Sequence, residues 1–210
     1  VNINIFYPSG LISSIQEKQI TSYGKNVKAY SVDGNFDDCQ SIVKQLLRDK
    51  IILSESFIFP ANSINIIRLI PQVSYYFWAY AQLNTNKPVN FCVPSGNLGN
   101  ITAGVIAYLM GLPVHKFIVA TNINKTFGMY LTTGAIPDVK AIPSLSCAMD
   151  ISIPNNLIRL KYLFKDHIHM QSKINSYSIT DEETLHTIST VHKTHNYILD
   201  PHTSVGYTAI

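Results

Sequence analysis

The chain has 210 residues, of which 46% are apolar and 14% are charged, and its formal net charge is +3. This length suffices for one domain or two small ones with a buried core, and the apolar content excludes a disordered chain. Lysines and arginines are scattered, and no apolar run reaches the roughly 18 residues that a membrane span needs. We therefore expect a soluble, cytoplasmic protein that binds neither nucleic acid nor a membrane.

Cysteine and histidine patterns argue against disulfide and metal sites. Cys39, Cys92 and Cys147 lie far apart and form no CxxC pair, which favours reduced thiols. The later histidines lack a HExxH arrangement and a neighbouring cysteine, so they are interpreted as solvated side chains rather than metal ligands. They are His167, His169, His186, His192 and His195.

Strand and helix signals alternate over the first fifty residues. Either Ser13 or Ser14 can cap the first helix, and Glu17, three residues after Ser14, has the spacing of a capping box with it. Short loops between alternating strands and helices predict a parallel sheet. The predicted elements are a strand over 1–5, a helix over 15–23, a strand over 27–32 and a helix that ends near Arg48.

The stretch NSINIIRLIPQVSYYFWAYAQL predicts a long helix that begins near Ser63. Pro71 lies too far inside it for a first-turn proline of that helix, so it either kinks the helix or begins a second one. Basic residues do not interleave the aromatic ones, which favours core packing over a base-stacking surface. These aromatic residues are Tyr75, Tyr76, Phe77, Trp78 and Tyr80.

The central unit runs from Val89 to Leu109 and is predicted to form a strand, a glycine loop and a buried helix, with Gly104 as a weak point in the helix. Such a loop leaves backbone N–H groups unpaired at a helix N-terminus, where the helix dipole favours an anion, most often phosphate. The loop matches neither GxxxxGK[ST] nor GxGxxG. A tight turn without a ligand explains its glycines equally well.

Further elements are predicted after the central unit. Thr180 and Glu183 have the spacing of a capping box, with acidic residues in the first turn and His192 and His195 near the end of the helix. The predicted elements are a strand over 114–120, a small helix within 127–142, a helix that ends at Phe164 and a helix from Thr180 to about His195.

The segment PSGNLGNITAGVIAYLMGLPVHKFIVATNIN resembles the phosphate-loop region of the threonine synthase family, pyridoxal-phosphate enzymes of the tryptophan synthase β-like fold, fold type II. Other stretches agree with that family in the same order: YPSGLISSIQEKQI, DGNFDDCQSIVK, ANSINIIRLIPQVSYYFWAYAQL, SCAMDISIPNNLIRL and DPHTSVG. The resemblance covers nearly the whole chain. It implies a three-layer α/β fold with a parallel sheet, incomplete at both ends. Residues 1–60 would be part of a smaller α/β domain, and residues 61–210 part of a larger domain that binds the cofactor phosphate.

The resemblance also implies an activity. The cofactor would be pyridoxal 5'-phosphate, and the intact protein, a monomer or homodimer, would be a lyase of threonine biosynthesis that converts O-phosphohomoserine and water to threonine and phosphate. Two alternatives remain open: a non-catalytic relic that keeps the phosphate site, and another lyase of the same fold, such as a threonine dehydratase or cysteine synthase. The matches through SINIIR, MDISIPNN and DPHTSVG favour threonine synthase over such a lyase.

Two sets of site residues follow from the resemblance. In the SINIIR motif, Asn65 and Arg68 would bind the phosphorylated substrate, although Arg68 could instead neutralise an acidic residue or extend into solvent. Leu98 stands where the family usually has Phe, a change expected to affect packing more than anion binding. The residues implied to hold the cofactor phosphate through backbone amides are Gly96, Asn97, Leu98, Gly99 and Asn100.

No catalytic residue is assigned to this chain. Lys165 stands in an FKD sequence like the one that carries the family's Schiff-base lysine, but that lysine precedes the phosphate loop, so Lys165 is interpreted as a surface residue. Because Val1 lies in a predicted strand and Ile210 in a predicted helix, we expect a segment of a longer enzyme that is inactive alone. Asp200 to Gly206 match a family motif that supports the active site. The sequence assigns no role to Asp150, Asn155, Asn156 and His202.

Overall fold

A computed structural model describes residues 1–55 and 57–210. The chain divides into two compact units, Val1–Pro60 and Ala61–Ile210. In the first unit two strands pair in parallel, from Ile3 opposite Val27 to Pro8 opposite Val32. The predicted parallel pairing is therefore confirmed. The elements of this unit are β1 (Ile3–Pro8), α1 (Ser14–Thr21), β2 (Val27–Val32), α2 (Phe36–Leu46) and α3 (Lys50–Glu55).

The first helix is capped by one of the two serines that the sequence allowed, but the capping box of Ser14 with Glu17 does not form. Ser13, not Ser14, caps α1, because its extended backbone places its hydroxyl to accept from the N–H of Gln16, and Gln16 returns the bond. Glu17 instead accepts a hydrogen bond from the Tyr7 hydroxyl at 3.1 Å. Helix α3 was not predicted, and the Asp49 carboxylate caps its first turn by accepting from the N–H groups of Ile51 and Ile52.

The second unit contains a three-stranded sheet in which all neighbours are parallel, in the order β3-β4-β5. The short strand β5 was not predicted.

No helix among residues 1–55 and 57–210 is long and apolar enough to cross a membrane. The elements are α4 (Ile70–Gln82), β3 (Val89–Pro94), α5 (Gly99–Leu109), β4 (Val114–Thr121), α6 (Thr126–Thr133), α7 (Leu157–Phe164), α8 (His167–Lys173), β5 (Ile174–Ser178), α9 (Asp181–His195) and α10 (Pro201–Thr208), with 3-10 helices at Ile66–Arg68 and Cys147–Met149.

Both faces of this sheet are covered. Along β3, Phe91 and Val93 pack into one apolar cluster, whereas the intervening Cys92 packs into a second cluster that contains Val205 of α10. This alternation follows from the two-residue period of a strand. Helices on both faces of a parallel sheet make a three-layer α/β architecture, as predicted.

The long helix predicted from Ser63 is instead two helices. Asn65 caps the 3-10 helix Ile66–Arg68 by accepting from the N–H of Ile67, and α4 begins at Ile70 with Pro71 in its first turn. Proline is tolerated there because first-turn N–H groups have no partner inside the helix. Pro71 therefore begins a second helix, one of the two outcomes that the sequence allowed.

Core packing of the aromatic cluster is confirmed only in part. Tyr76 is 4% exposed, whereas Tyr75 is 58% and Trp78 71% exposed. Phe77 and Trp78 help line an open apolar cavity of about 1170 Å³ along this face of α4. In the described chain α5 packs on one side of α4 and leaves this face uncovered.

Gly104 has a packing role rather than being only a weak point of α5. A Cβ at this position would lie 2.5 Å from the Tyr76 ring, so the absence of a side chain lets that ring pack against the helix. The Tyr76 hydroxyl then donates to Asn100, at 2.5 Å to Oδ1 and 3.0 Å to the carbonyl oxygen. Burial raises the pKa of Tyr76, which keeps this hydroxyl protonated.

Candidate functional site

The loop of residues 95–100, predicted to bind the cofactor phosphate and called the phosphate loop below, leaves the carboxyl end of β3 and enters α5. The Ser95 N–H donates to the Ala120 carbonyl at 2.8 Å, which extends the pairing of β3 with β4 by one residue. Leu98 has a left-handed backbone (φ 58°) and a side chain that is only 1% exposed. A left-handed backbone is uncommon for leucine, so this buried side chain anchors the loop in its turn.

The amides of the phosphate loop are available to an anion. The Leu98 carbonyl accepts from the Thr102 N–H and hydroxyl, which starts the hydrogen bonding of α5. Unused donors at a helix N-terminus, together with the helix dipole, are the usual protein site for a phosphate group. Within the loop, the N–H groups that find no acceptor among the described residues are those of Gly96, Asn97, Leu98, Gly99 and Asn100.

The two glycines of the phosphate loop are glycine for different reasons. A Cβ at Gly96 would lie 2.7 Å from the Cα of Met149, so the packing of the chain requires glycine there. A Cβ at Gly99 would meet only ordinary contacts, at 3.6 Å from Asn156 Nδ2 and 3.8 Å from Ser63 Cβ. Packing and backbone conformation do not require glycine at position 99. An open helix N-terminus there fits a phosphate held close to the backbone.

Two successive asparagines hold Asn97. The Asn97 carbonyl accepts from Asn156, at 2.8 Å from Nδ2 and 3.3 Å from the backbone N–H. The Asn97 side-chain oxygen accepts from Asn155, at 3.2 Å from the N–H and 3.0 Å from Nδ2. Asn156 is fully buried, so its amide is committed to this contact. In the sequence, the only signal that Asn155 and Asn156 hold the loop was their position as two polar residues directly before an apolar helix.

Arg159 links this clamp to the SIN segment (residues 63–68). Its guanidinium donates to the Ser63 and Ile64 carbonyls, each at 2.5 Å, and also to Asn156 Oδ1. Burial lowers the pKa of Arg159, although a guanidinium stays charged at neutral pH. The SIN segment therefore begins beside the phosphate loop, with Ser63 next to Gly99.

The two predicted substrate residues lie in the SIN segment. The Asn65 side chain accepts from the Ile67 N–H at 3.1 Å, so it caps the 3-10 helix. Arg68 is exposed, and its guanidinium makes no ion pair or hydrogen bond with the described residues. Neutralisation of an acidic residue by Arg68 is thus not seen in the described part of the chain. The substrate-binding roles of Asn65 and Arg68 stay predictions.

Asp150 organises the segment that covers Gly96. Its carboxylate accepts from Asn122 Nδ2 at 2.8 Å, Asn124 Nδ2 at 3.2 Å, and both the N–H (3.0 Å) and hydroxyl (2.6 Å) of Ser144. Asn122 and Asn124 follow β4, so the carboxylate ties residues 144–150 to the carboxyl edge of the sheet. Ligands of parallel sheets bind at this edge.

The DPHTSVG motif contacts the same turn from α10. Asp200 caps α10 through the N–H groups of His202 and Thr203. Its pKa is lowered, mainly by the hydrogen bond from the Thr203 hydroxyl. Asp200 Oδ1 lies 3.2 Å from His202 Nδ1, and His202 Nε2 accepts from the Ala148 N–H at 3.3 Å. The motif thereby positions the turn that packs on Gly96.

Gly206 brings α10 close to β3. A Cβ at Gly206 would lie 3.1 Å from Pro94 Cδ, and the Cys92 thiol donates to the Gly206 carbonyl at 3.1 Å. Burial raises the pKa of Cys92, so the thiol stays protonated and packs as an apolar group. The family motif therefore supports the end of the strand that carries the phosphate loop.

The remaining candidates lie away from these contacts. Lys165 is exposed and ends α7 with a positive φ of 69°, which agrees with its prediction as a surface residue. Asp166, next to it, caps α8 and lies 2.7 Å from His169 Nδ1. Among residues 1–55 and 57–210, no three histidine, cysteine or acidic side chains come together as metal ligands would.

Comparison with known proteins matches residues 2–210 to the family described as pyridoxal-phosphate dependent enzyme. Threonine synthase from Serratia marcescens is 40% identical over 212 residues, with 100% of this chain and 49% of that protein covered. The crystal structure of threonine synthase from Escherichia coli superposes with a TM-score of 0.90 at 41% identity, covering 100% of this chain and 49% of that one. A PLP-bound threonine synthase from Brucella melitensis gives a TM-score of 0.85 at 34% identity, with 99% and 51% covered. The chain thus spans about half the length of these relatives.

Proposed function

This chain belongs to the pyridoxal-phosphate dependent enzyme family, and on that premise we propose that the full-length protein is a threonine synthase. It would convert O-phosphohomoserine and water to threonine and phosphate, the last step of threonine biosynthesis. Threonine synthases resemble this chain over its whole length, in sequence and in fold. The observation that carries the proposal is the phosphate loop, whose unengaged amides lie at the N-terminus of α5 beside the SIN segment.

The phosphate loop fits the cofactor's 5'-phosphate. Backbone N–H groups would hold its oxygens, with Asn100 in the first turn of α5 steadied by Tyr76. When bound, pyridoxal phosphate supplies a ring that stabilises negative charge on substrate carbons. The residues of this chain would hold and orient that ring through its phosphate, and Asn155 and Asn156 would keep the loop in shape. The N–H groups assigned to the phosphate are those of Gly96, Asn97, Leu98, Gly99 and Asn100.

The SIN segment would supply the second anion site. A planar guanidinium binds a phosphate through two parallel hydrogen bonds, and Arg68 is exposed and makes no ion pair among the described residues. We assign the substrate phosphate to Arg68 and Asn65. Because Ser63 lies next to Gly99, this segment starts close to the cofactor phosphate. No catalytic residue is assigned to this chain.

The wider setting of the protein is also proposed. Residues 1–60 would belong to the smaller domain and residues 61–210 to the larger domain that binds the cofactor phosphate. The protein would act in the cytoplasm as a monomer or homodimer and would bind neither nucleic acid nor membrane. The chain has a net charge of only +3, and its lysines and arginines are scattered, which supports the absence of nucleic-acid and membrane binding.

The test uses the purified full-length protein with pyridoxal phosphate and O-phosphohomoserine. We expect threonine and phosphate to form in equal amounts, measured by amino-acid analysis and a coupled phosphate assay. Cofactor binding without phosphate release would favour the non-catalytic relic. Keto-acid formation from serine or threonine, with O-phosphohomoserine left intact, would favour a different lyase of the same fold.

A further inference from the structure

We infer that Arg159 is a positioning residue of the proposed substrate site, because one guanidinium holds both the SIN segment and the clamp of the phosphate loop. This inference rests on the proposed function of the site. Arg159 itself contacts neither Arg68 nor the loop amides in the described structure. Its effect on substrate binding therefore passes through the groups that it holds.

The first contact of Arg159 sets the direction of the SIN segment. Its two terminal nitrogens donate to the successive carbonyls of Ser63 and Ile64, each at 2.5 Å. The next residue, Asn65, caps the 3-10 helix, and the Arg68 N–H returns to the Asn65 carbonyl at 3.0 Å. This turn is short and is held by the N–H groups of Ile67, Arg68 and Leu69, so the direction of the two carbonyls determines where Arg68 lies.

The second contact of Arg159 orients Asn156. Arg159 donates to Asn156 Oδ1, which leaves Nδ2 on the other side of the amide to donate to the Asn97 carbonyl at 2.8 Å. An amide can serve an acceptor and a donor only in one of its two flipped orientations, and a guanidinium that only donates selects that orientation. The same side chain thus determines how the phosphate loop is clamped.

The chemistry of these acceptors explains why the residue is arginine. All three are neutral oxygens, and no carboxylate among the described residues lies within ion-pair distance of Arg159. A planar fork with fixed nitrogens can serve three such acceptors at once, whereas the single ammonium of lysine cannot keep the same geometry. The uncompensated positive charge also adds to the attraction for anions at this end of the sheet.

The main test compares Arg159→Lys with the wild type in the full-length protein loaded with pyridoxal phosphate. Lysine keeps the charge and one donor group, which can still serve Asn156 Oδ1 and keep that amide in its orientation, but it loses the fork that holds the Ser63 and Ile64 carbonyls together. We expect the KM for O-phosphohomoserine to rise about tenfold, the size of one lost charge-assisted hydrogen bond, with kcat and the Kd for pyridoxal phosphate changed less than about threefold. Lys161→Met removes a charge from the exposed face of the same helix, and its KM should match the wild type.

A second variant should give the opposite pattern. Asn156→Asp keeps an acceptor for Arg159 but loses the donor to the Asn97 carbonyl. We expect the Kd for pyridoxal phosphate to rise about fivefold and the KM for O-phosphohomoserine to change less. Equal changes in the two constants for both variants would overturn the inference, since a general loss of structure would move them together.

Hydrogen exchange provides a readout that does not depend on activity. In Arg159→Lys, the amides of residues 65–69 should exchange at least about fivefold faster than in the wild type, while Lys161→Met leaves them unchanged. If the wild type binds pyridoxal phosphate but does not use O-phosphohomoserine, the proposed function fails and the exchange result still decides the role of Arg159. Unchanged exchange in Arg159→Lys would overturn the inference.

Discussion

His202 Nε2 accepts a hydrogen bond from the Ala148 N–H at 3.3 Å. Asp200 Oδ1 lies 3.2 Å from the other ring nitrogen, so Nδ1 carries the proton and Nε2 is left as the acceptor. The residue after Ala148 is Met149, whose Cα would lie 2.7 Å from a Cβ at Gly96. The DPHTSVG motif therefore reaches the phosphate loop through one backbone turn.

Replacing His202 by Leu should weaken cofactor binding. Loss of the acceptor frees the Ala148 N–H and loosens the turn over Gly96, so we expect the Kd for pyridoxal phosphate to rise about fivefold in a fluorescence titration. His202→Gln keeps a side-chain oxygen and should recover part of the affinity. His186→Leu, at an exposed position on α9, serves as the control. Wild-type affinity in His202→Leu would contradict this role.

Alanine at the two glycines of the phosphate loop should separate folding from ligand binding. In Gly96→Ala the new Cβ would lie 2.7 Å from the Cα of Met149. The free energy of unfolding, measured in urea titrations, should therefore fall by about 1–3 kcal/mol. Gly99→Ala meets only ordinary contacts and should leave protein stability nearly unchanged, but its methyl group would narrow the approach to the helix N-terminus. Its Kd for pyridoxal phosphate should rise about tenfold. Wild-type affinity in Gly99→Ala would exclude close approach of the phosphate.

Replacing Arg68 by Ala should raise the KM for O-phosphohomoserine more than the Kd for pyridoxal phosphate. The expected rise in KM is at least about tenfold, since a charge-assisted contact to phosphate is lost while the phosphate loop is untouched. Steady-state kinetics and cofactor titration on the same preparation provide both constants. Arg48→Ala, at an exposed arginine of the first unit, is the matched control. Equal losses in KM and Kd would argue against the substrate role of Arg68.

Replacing Tyr76 by Phe tests the support of Asn100. The substitution keeps the buried ring against Gly104 and removes only the hydroxyl, so the free energy of unfolding should fall by about 1 kcal/mol. The control is Tyr75→Phe, which removes a hydroxyl from a side chain that is 58% exposed. This control should leave the free energy of unfolding unchanged. Chemical denaturation of both variants measures the difference, and an equal effect at the two positions would refute the support of Asn100 by Tyr76.

The cap of α10 should make stability depend on pH in the acid range. The pKa of Asp200 is lower in the folded chain than in the unfolded chain, mainly through the Thr203 hydroxyl. The carboxylate therefore contributes its full stabilisation above the unfolded value, near 4, and loses it as the pH falls through the folded value. Between pH 5 and pH 2 the Tm of Asp200→Asn should fall less steeply than that of the wild type. Asp138→Asn, at an exposed loop carboxylate, should keep the wild-type slope.

Local signals determined much of the fold. The apolar run of β3, the glycine turn and the apolar helix after it are encoded within a few residues of one another, and the Thr180–Glu183 capping box formed as predicted. Short connections between strands and helices were enough to predict parallel pairing. These features depend on backbone conformation and hydrophobic periodicity, which act over short distances along the chain.

Local signals left alternatives open at the first helix and were misleading for the aromatic residues of α4. Ser13 and Ser14 could both cap α1. Ser13 is the cap in the structure, where it forms a capping box with Gln16, three residues later. The aromatic residues of α4 have the composition of a buried helix, yet only the side that meets Gly104 is covered in the described chain. Burial is a property of the neighbours that an element acquires, which its own sequence does not specify.

The sequence by itself determined the phosphate loop, because a strand, a glycine turn and a helix N-terminus need only adjacent residues. Only the tertiary structure decided what holds that loop: Asn156 on Asn97, and Arg159 on Ser63, residues that are 59 and 96 positions apart. Such contacts form because the start of α7 packs beside the start of α5. The polar groups buried between them must then find partners, whatever their separation along the chain.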